Sequence, residues 1–200
     1  AGIIYDSRNK LTNPDNGIFT ELNFRLMPSF LSKGGYSCFS IGLIHKQYFT
    51  LVSRRLILAY RLWLNATILD EQPFYSRQLL SNFTGNEGYG GSATLRGALM
   101  QRIVTNDFLL GTIELRSRLV NFQFIKQNWY IGAVLFTDAG RILKPVRLDL
   151  SAVPGEYLPL YFNPSDKSIH QTVGGGLKMA MNENFVLSVE FGVPLSSQDG

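Results

Sequence analysis

The sequence predicts an all-β fold and, within that class, an antiparallel β-barrel that crosses a membrane. Polar and apolar residues alternate with a period of two along segments of about ten residues, the length that a tilted strand needs to cross a bilayer. Short and long connections separate these segments. Hydrophobic residues form 45% of the 200 residues, yet no run approaches the about 18 apolar residues of a membrane helix. Strands must therefore supply any membrane-crossing surface.

The first four strands are predicted from apolar residues near the start of the chain, a turn sequence after them, and stretches in which polar and apolar residues alternate. The first contains Ile3-Ile4-Tyr5, and the second follows Asn13-Pro14-Asp15-Asn16-Gly17, whose residue types tolerate a tight reversal. The third alternates poorly after Leu43, so its register is left open. In the fourth, Arg61 and Asn65 lie opposite a row of leucines. The expected ranges are about 2–8, 17–27, 37–52 and 55–67.

The last four strands alternate more regularly. The fifth places Glu114 opposite apolar residues, and the eighth does the same with Glu190. The sixth begins with Trp129-Tyr130, which suits an interfacial girdle or an ordinary sheet equally well. The seventh carries Gly174-Gly175-Gly176, where small residues relieve crowding or let the sheet bend. The expected ranges are about 107–120, 128–141, 169–181 and 185–194.

The connections between these strands fall into two classes of length. Those at 68–106 and 142–168 are long, whereas those at 9–16, 53–54, 121–127 and 182–184 are short, and 28–36 is intermediate. Short turns on one side and long loops on the other are typical of outer-membrane barrels. A soluble sandwich can alternate too, but its strands are usually about 5–6 residues long. The chain begins as though inside a strand and stops in a turn that should lead to a further element. We therefore interpret residues 1–200 as part of a longer protein.

Composition and spacing argue against several other functions. The net charge of +4 is small and the basic residues are scattered, so no nucleic acid is expected as a partner. Cys38 is the one cysteine, which excludes an internal disulfide. His45 and His170 have no nucleophile or acid at a useful spacing, so no catalytic triad can be assembled. We therefore expect no enzyme activity, no metal site and no cofactor.

Several short motifs occur together in an order that resembles one family. Tyr5-Asp6-Ser7-Arg8 with the turn after it resembles the "YD-x-R … NP-x-x-G" opening of the BamA/TamA-type bacterial surface antigen family. The other matches are Leu95-Arg96-Gly97 with its V/L-R-G-F/Y loop, Thr112-Ile113-Glu114-Leu115-Arg116 with "SLEFR", Phe136-Thr137-Asp138-Ala139-Gly140 with "F-V-D-x-G", and Gly174-Gly175-Gly176-Leu177-Lys178 with Leu187 to Leu195 as the closing segment. Ala98 departs from the pattern, because the family usually has an aromatic residue there.

The resemblance implies a sixteen-stranded barrel in the outer membrane of a Gram-negative bacterium. This chain would supply strands eight to fifteen of it. Members usually insert or translocate outer-membrane polypeptides without a cofactor. The implied partners are outer-membrane lipids, unfolded outer-membrane protein clients, POTRA domains preceding the barrel on the same chain and, in addition, accessory lipoproteins.

The candidate site is an arginine in the longest loop and two acids on neighbouring strands. Arginine stays charged and can donate two parallel hydrogen bonds to a carboxylate. Alternation places Glu114 and Asp138 on the polar face, where both could converge on Arg96, and Gly97 would let the loop backbone approach the wall. The resemblance implies the same arrangement, with the loop folded into the lumen and pinned there. Leu95, Gly140, Tyr5, Asp6 and Arg8 complete the motif residues.

A simpler alternative leaves Arg96 solvated, with the two acids paired to Arg116 and Arg118 on their own wall. The other charged strand residues are expected to be solvated in the lumen, namely Glu21, Arg25, Arg55, Arg61, Lys178 and Glu190.

Three classes of function fit the sequence. The first is a machine that inserts or translocates β-barrel precursors through strand pairing at a weak seam. The second is a polypeptide-secretion pore in which the Arg96 loop is a plug. The third is a barrel that anchors an upstream enzymatic domain. A separate structural alternative is an independent eight-stranded barrel, closed by pairing of strand 185–194 with strand 2–8.

Overall fold

Eight antiparallel strands form one sheet in which every strand pairs with its neighbours in chain order. The structure is a computed structural model that describes residues 1–31, 37–53, 55–70, 90–100, 103, 105, 107–144, 151, 153–156, 169–182 and 185–195. The strands are β1 (Gly2–Asp6), β2 (Gly17–Met27), β3 (Cys38–Val52), β4 (Leu56–Asp70), β5 (Asp107–Phe124), β6 (Gln127–Lys144), β7 (Ile169–Met181) and β8 (Phe185–Pro194). A short 3-10 turn, Ser29–Leu31, follows β2. The predicted all-β antiparallel fold is confirmed.

Three predicted ranges, those of β2, β7 and β8, coincide with the observed strands. The predicted connection at 121–127 is wrong, because β5 and β6 meet in a hairpin whose two turn residues, Ile125 and Lys126, both adopt positive φ. The strand β1 ends at Asp6, two residues early, since the backbone N–H of Arg8 turns back to the Asp6 carboxylate. The long loops also begin later than expected, after Asp70 and Lys144, and most of both lies outside the described residues.

The two faces of the sheet differ in burial, as alternation requires. On β6, Val134 and Asp138 are fully buried, whereas the intervening Leu135 is 63% exposed. The buried side chains of β4, β6 and β7 lie on the face that we call the inner face, which residues 90–98 cover. The register of β3, open from sequence, is fixed by pairing of Leu43 with both Leu22 and Leu64. Ile44 therefore points to the inner face, where it is buried.

The core is a small apolar cluster between the loop and the inner face. Leu95 is completely buried and packs with the side chains of Ile44, Trp63, Ala98, Phe108 and Leu110. A loop residue thus completes a core that the strands alone leave open. The small side chain at Ala98, a departure from the family motif, is buried in this cluster.

The β1–β2 connection also lies over the inner face. Asn13 is buried, and its side-chain amide donates a hydrogen bond to the hydroxyl of Tyr130 on β6. Asp15 lies 3.6 Å from the guanidinium of Arg118 on β5. A connection predicted only as a reversal therefore contacts β5 and β6, which lie three and four strands beyond β2.

Candidate functional site

The loop segment 90–98 forms a compact turn before it reaches the sheet. Gly91 N–H lies within hydrogen-bond distance of the carbonyls of Leu95 and Ala98, and Gly90 N–H donates to the Thr94 hydroxyl. Gly90, Gly91 and Gly97 have φ values of +115°, +93° and +103°. These lie in the left-handed region that glycine adopts without strain. The glycines therefore allow the tight path that presents Arg96.

The guanidinium of Arg96 makes a two-pronged hydrogen-bonded pair with Asp138 on β6. Its Nε donates to one carboxylate oxygen at 2.9 Å and its Nη2 to the other at 2.9 Å. The backbone N–H of Arg96 also donates to this carboxylate, at 3.1 Å. Asp138 is fully buried, so these hydrogen bonds replace the ones that water would make to an exposed carboxylate. This is the fork-to-carboxylate geometry that only arginine provides.

The third guanidinium nitrogen of Arg96 reaches two further acids. Its Nη1 lies 2.6 Å from Glu114 on β5 and 2.8 Å from Glu190 on β8. The Phe136 ring lies beneath the guanidinium, with its centroid 3.6 Å from Cζ, a cation–π stack that adds to the charge pairing. One loop side chain therefore contacts three strands of the sheet.

The floor under Arg96 is a row of residues paired across β5 to β8. Glu114 pairs with Phe136, Phe136 with Gly174, and Gly174 with Gly192. A side chain on Gly174 would overlap the Phe136 ring, and one on Gly192 would lie 2.5 Å from the Arg96 carbonyl oxygen. Two glycines in this row thus leave room for the ring and the loop.

Gly97 makes the closest backbone approach between the loop and the sheet. A Cβ on it would lie 2.6 Å from the carbonyl carbon of Gly192. A substitution there is strained twice, by the overlap with β8 and by the positive φ.

Arg61 on β4 holds the loop from the other side. Its Nη1 donates to the Ala93 carbonyl at 2.8 Å and its Nη2 to the Thr112 hydroxyl at 3.0 Å. The expectation that Arg61 is solvated is therefore wrong, because the loop backbone covers it. Alternation placed it correctly on the polar face but could not show what lies above that face.

The charges around Arg96 form a network rather than isolated pairs. Arg116 lies 2.5 Å from the second carboxylate oxygen of Glu114, and the Lys178 ammonium lies 3.4 Å from Glu190. Burial by itself lowers the pKa of Arg96, but the hydrogen bond to Asp138 and the charge of Glu114 raise it above its usual value. Arg96 is therefore a permanent cation.

The structure brings together Leu95, Arg96, Gly97, Glu114 and Asp138 of the sequence-predicted site. Both alternatives for Glu114 occur at once, since its two oxygens accept from Arg96 and from Arg116. Arg118, the other wall partner considered, lies instead near Asp15.

The remaining motif residues lie apart from Arg96. Arg8 and Asp6 form their own two-pronged pair at 2.7 and 2.9 Å, and the Arg8 guanidinium lies over the Phe19 ring. Tyr5 is exposed on β1, and Gly140 is buried on the inner face two residues after Asp138.

Glu190 is the site residue that sequence reasoning missed. It was expected to be solvated, which is wrong, because it accepts hydrogen bonds from Arg96 and from Ser188. The available signals were its position on the polar face of the last strand and its place in the closing motif. Neither shows that β8 comes within reach of a loop 94 residues away in sequence.

The chemistry that this arrangement supports is attachment. In the part of the chain that the structure describes, no group of three histidine, cysteine or acidic side chains could hold a metal ion. Within the same ranges, no helix is long and apolar enough to span a membrane. The side chains around Arg96 are charge-paired acids and bases, with an aromatic ring and glycines beneath them.

Comparison with known proteins places the chain in a family. Residues 1–200 match the family model for the Omp85 superfamily domain. The fold is similar to that of BamA from Haemophilus ducreyi lacking POTRA domains 1-3, with a TM-score of 0.68 and 18% sequence identity. That alignment covers 99% of this chain and 39% of the BamA chain. Comparison with curated proteins gives no match. The resemblance to the BamA/TamA type is thereby confirmed, and the chain belongs to the Omp85 superfamily.

Proposed function

We propose that this chain is the C-terminal part of an outer-membrane barrel that inserts or translocates outer-membrane polypeptides. Arg96 would hold the long loop inside the barrel through Asp138, Glu114 and Glu190. The single observation that carries the proposal is the contact of Arg96 with β5, β6 and β8 together, because it fixes the loop to the wall of the membrane strands. No covalent chemistry is required of the site.

The setting of this activity is the outer membrane of a Gram-negative bacterium. The opposite side of the sheet, which we call the outer face, exposes apolar residues such as Leu135 and Leu177, and these suit contact with lipid. Unfolded outer-membrane proteins would be the clients, POTRA domains would precede the barrel, and accessory lipoproteins would assist it. The physical basis would be strand addition at the seam between the first and last strands of the full barrel, since a free strand edge is a template for another chain.

The mechanical role of Arg96 is to keep the loop attached while the wall changes shape. A long loop without packed support is ordinarily mobile. Here the charge-assisted hydrogen bonds with Asp138 give it a fixed position, and the burial of Leu95 adds an apolar contact. A wall that opens on the β8 side would stretch the Glu190 contact first and leave the two-pronged Asp138 pair in place.

The test uses the full-length protein reconstituted in lipid vesicles with Arg96→Ala and Arg96→Lys variants. We expect both variants to lose most client insertion and to make the loop sensitive to added protease, since lysine cannot form the fork with Asp138. Arg55→Ala, a charge change at the exposed β3–β4 turn, is the matched control. Unchanged insertion and unchanged protease resistance in both Arg96 variants would exclude the proposed role.

A polypeptide-secretion pore is the second candidate, and coverage of the inner face by residues 90–98 favours it. The loop would then be a plug that moves aside for one substrate. Single-channel conductance of the full-length protein separates the two functions. A secretion pore should conduct more in Arg96→Ala than in the natural sequence, whereas an insertion machine should lose client insertion without a matching rise in conductance.

A further inference from the structure

A cavity of about 140 Å³ beside the Arg96 network has an excess of positive charge that the loop attachment does not explain. Its lining includes the cations Lys46, Arg61, Arg96 and Arg116, with Glu114 as the acid among them. The volume is well above what a single water requires. The cavity is therefore large enough for a small polyatomic ion.

Counting charge pairs shows where the excess lies. Glu114, Asp138 and Glu190 are matched by three cations in contact with them, which are Arg96, Arg116 and Lys178. Among the described residues, Lys46 and Arg61 have no carboxylate within ion-pair distance. The Lys46 ammonium has an aromatic contact, at 5.5 Å from the centroid of the Phe19 ring. Lys46 and Arg61 thus lack a direct ion pair. Carboxylates act on them only from beyond ion-pair distance, Glu21 on Lys46, and Asp138 and Glu114 on Arg61.

These two cations lie directly opposite each other. Lys46 on β3 pairs in register with Arg61 on β4, and both line the same cavity. Like charges directly opposite on adjacent strands destabilise a sheet. Unless a negative group lies between the two side chains, their repulsion lowers the stability of the folded protein.

Arg61 supplies a second, independent sign of a missing acceptor. Its two Nη atoms donate to neutral oxygens, those of Ala93 and Thr112. Its Nε is buried and, within the described part of the chain, has no hydrogen-bond acceptor. A buried guanidinium donor without an acceptor is costly, and an oxyanion supplies several acceptors at once.

We propose that this cavity is a binding site for a small divalent oxyanion of the phosphate class, held by Lys46, Arg61 and Arg116. Two cations without a direct ion pair favour a dianion, and guanidinium groups match the oxygen geometry of phosphate. The hydroxyl groups of Tyr48 and Ser92 in the lining can add hydrogen bonds. The site does not depend on the insertion role, because it follows from charge and geometry on the inner face alone.

The experiment titrates the full-length protein in maltoside micelles, which contain no phosphate, with inorganic phosphate against chloride at constant ionic strength. We expect a saturable rise in melting temperature with phosphate and broadening of the phosphorus resonance. Acetate, with one charge, should bind at least tenfold more weakly. Glycerol 3-phosphate is added separately because it mimics a lipid headgroup. If it binds as tightly as inorganic phosphate, the source of the bound group is a lipid headgroup. If it binds more weakly, the source is free phosphate.

The decisive variant is Lys46→Gln, because Lys46 makes no hydrogen bond with the described residues and its loss leaves no partner unpaired. In chloride the variant should melt at or above the temperature of the natural sequence, since a repulsion is removed. Its affinity for phosphate should fall at least tenfold. Lys126→Gln in the β5–β6 turn is the matched control and should bind normally. The same phosphate response in both variants, or no difference between phosphate and chloride in the natural sequence, would overturn the assignment.

Discussion

Arg96 makes five hydrogen bonds to three acids, and it divides them unequally. Asp138 receives both prongs of the guanidinium fork and the backbone N–H, and it is completely buried. Glu190 shares a single nitrogen with Glu114 and keeps a side-chain exposure of 19%. A buried carboxylate with several donors loses far more than a partly solvated one when its charge is removed. The three acids should therefore differ in their contribution to stability.

We expect Asp138→Asn to cost about 3–5 kcal/mol, the range for breaking a buried charge pair. Glu190→Gln should cost about 1–2 kcal/mol, because Arg96 keeps its other two acids. Chemical denaturation of the folded protein in micelles or vesicles measures both.

Glu156→Gln, an exposed acid outside the sheet, is the control for Glu190→Gln and should leave stability unchanged. A cost for Glu190→Gln as large as that for Asp138→Asn would contradict this ranking of the acids.

Sequence reasoning could identify Arg96, Glu114 and Asp138 as candidates because alternation assigns strand faces and the motifs occur in order. It could not identify Glu190 as a partner, since alternation gives the face of a residue but not its distance from a loop. Arg61 was misjudged for the same reason. The position of the loop above the sheet depends on the packing of Leu95, which no local pattern specifies.

The β1–β2 connection is an element whose local chemistry and tertiary role differ. The turn signal predicted a reversal, and the backbone does reverse there. Its packing against Tyr130 and Arg118 was not predictable, since these residues lie on β6 and β5, which no local pattern places near the connection. Within the connection, Asp15 accepts a hydrogen bond from Asn9 and forms an ion pair with Lys10.

The Asp15 contacts should make this element sensitive to acid. Burial raises the pKa of Asp15, but hydrogen bonds from Asn9 and Lys10 outweigh it and hold the pKa below its usual value. Because the pKa of Asp15 is lower in the folded protein than in the unfolded one, its charge stabilises the fold at pH values above the unfolded pKa of about 3.9. This stabilisation is lost as the pH falls through the folded pKa.

The measurement compares melting temperatures of the natural sequence and Asp15→Asn between pH 7 and pH 3. The natural sequence should melt higher above about pH 5, and the difference should shrink toward zero at the acid end. A difference that stays constant down to pH 3 would mean that the Asp15 charge contributes nothing to this packing.

At the scale of the whole molecule, the period of two was sufficient to predict eight antiparallel strands with one apolar and one polar face. Alternation succeeds here because most strands keep one side apolar, although β3 alternates poorly after Leu43. It did not predict the hairpin at Ile125 and Lys126, because the strands continue through residues 121–124, which were assigned to a connection. The strand ends were accordingly less accurate than the strand centres.

A charge placed at the centre of the outer face tests whether that face contacts lipid. Leu135 lies mid-strand on β6 and is 63% exposed. In lipid vesicles, Leu135→Arg should cost about 2–4 kcal/mol, as expected at a bilayer midplane. Leu143→Arg near the strand end should cost about 0–1 kcal/mol. Equal and small costs for both variants would mean that the outer face is in water.

We expect the three contacts of Arg96 to form in an order set by their separation along the chain. Its partners lie 18, 42 and 94 residues away along the chain. Each step roughly doubles the loop that must close, which adds about 0.6 kcal/mol of entropy cost each time. Glu114 is therefore within reach first, Asp138 next, and Glu190 only after β8 has been added. The complete cluster therefore requires β8 to be in register with β7, and we expect the Glu190 contact to be the last of the three to form.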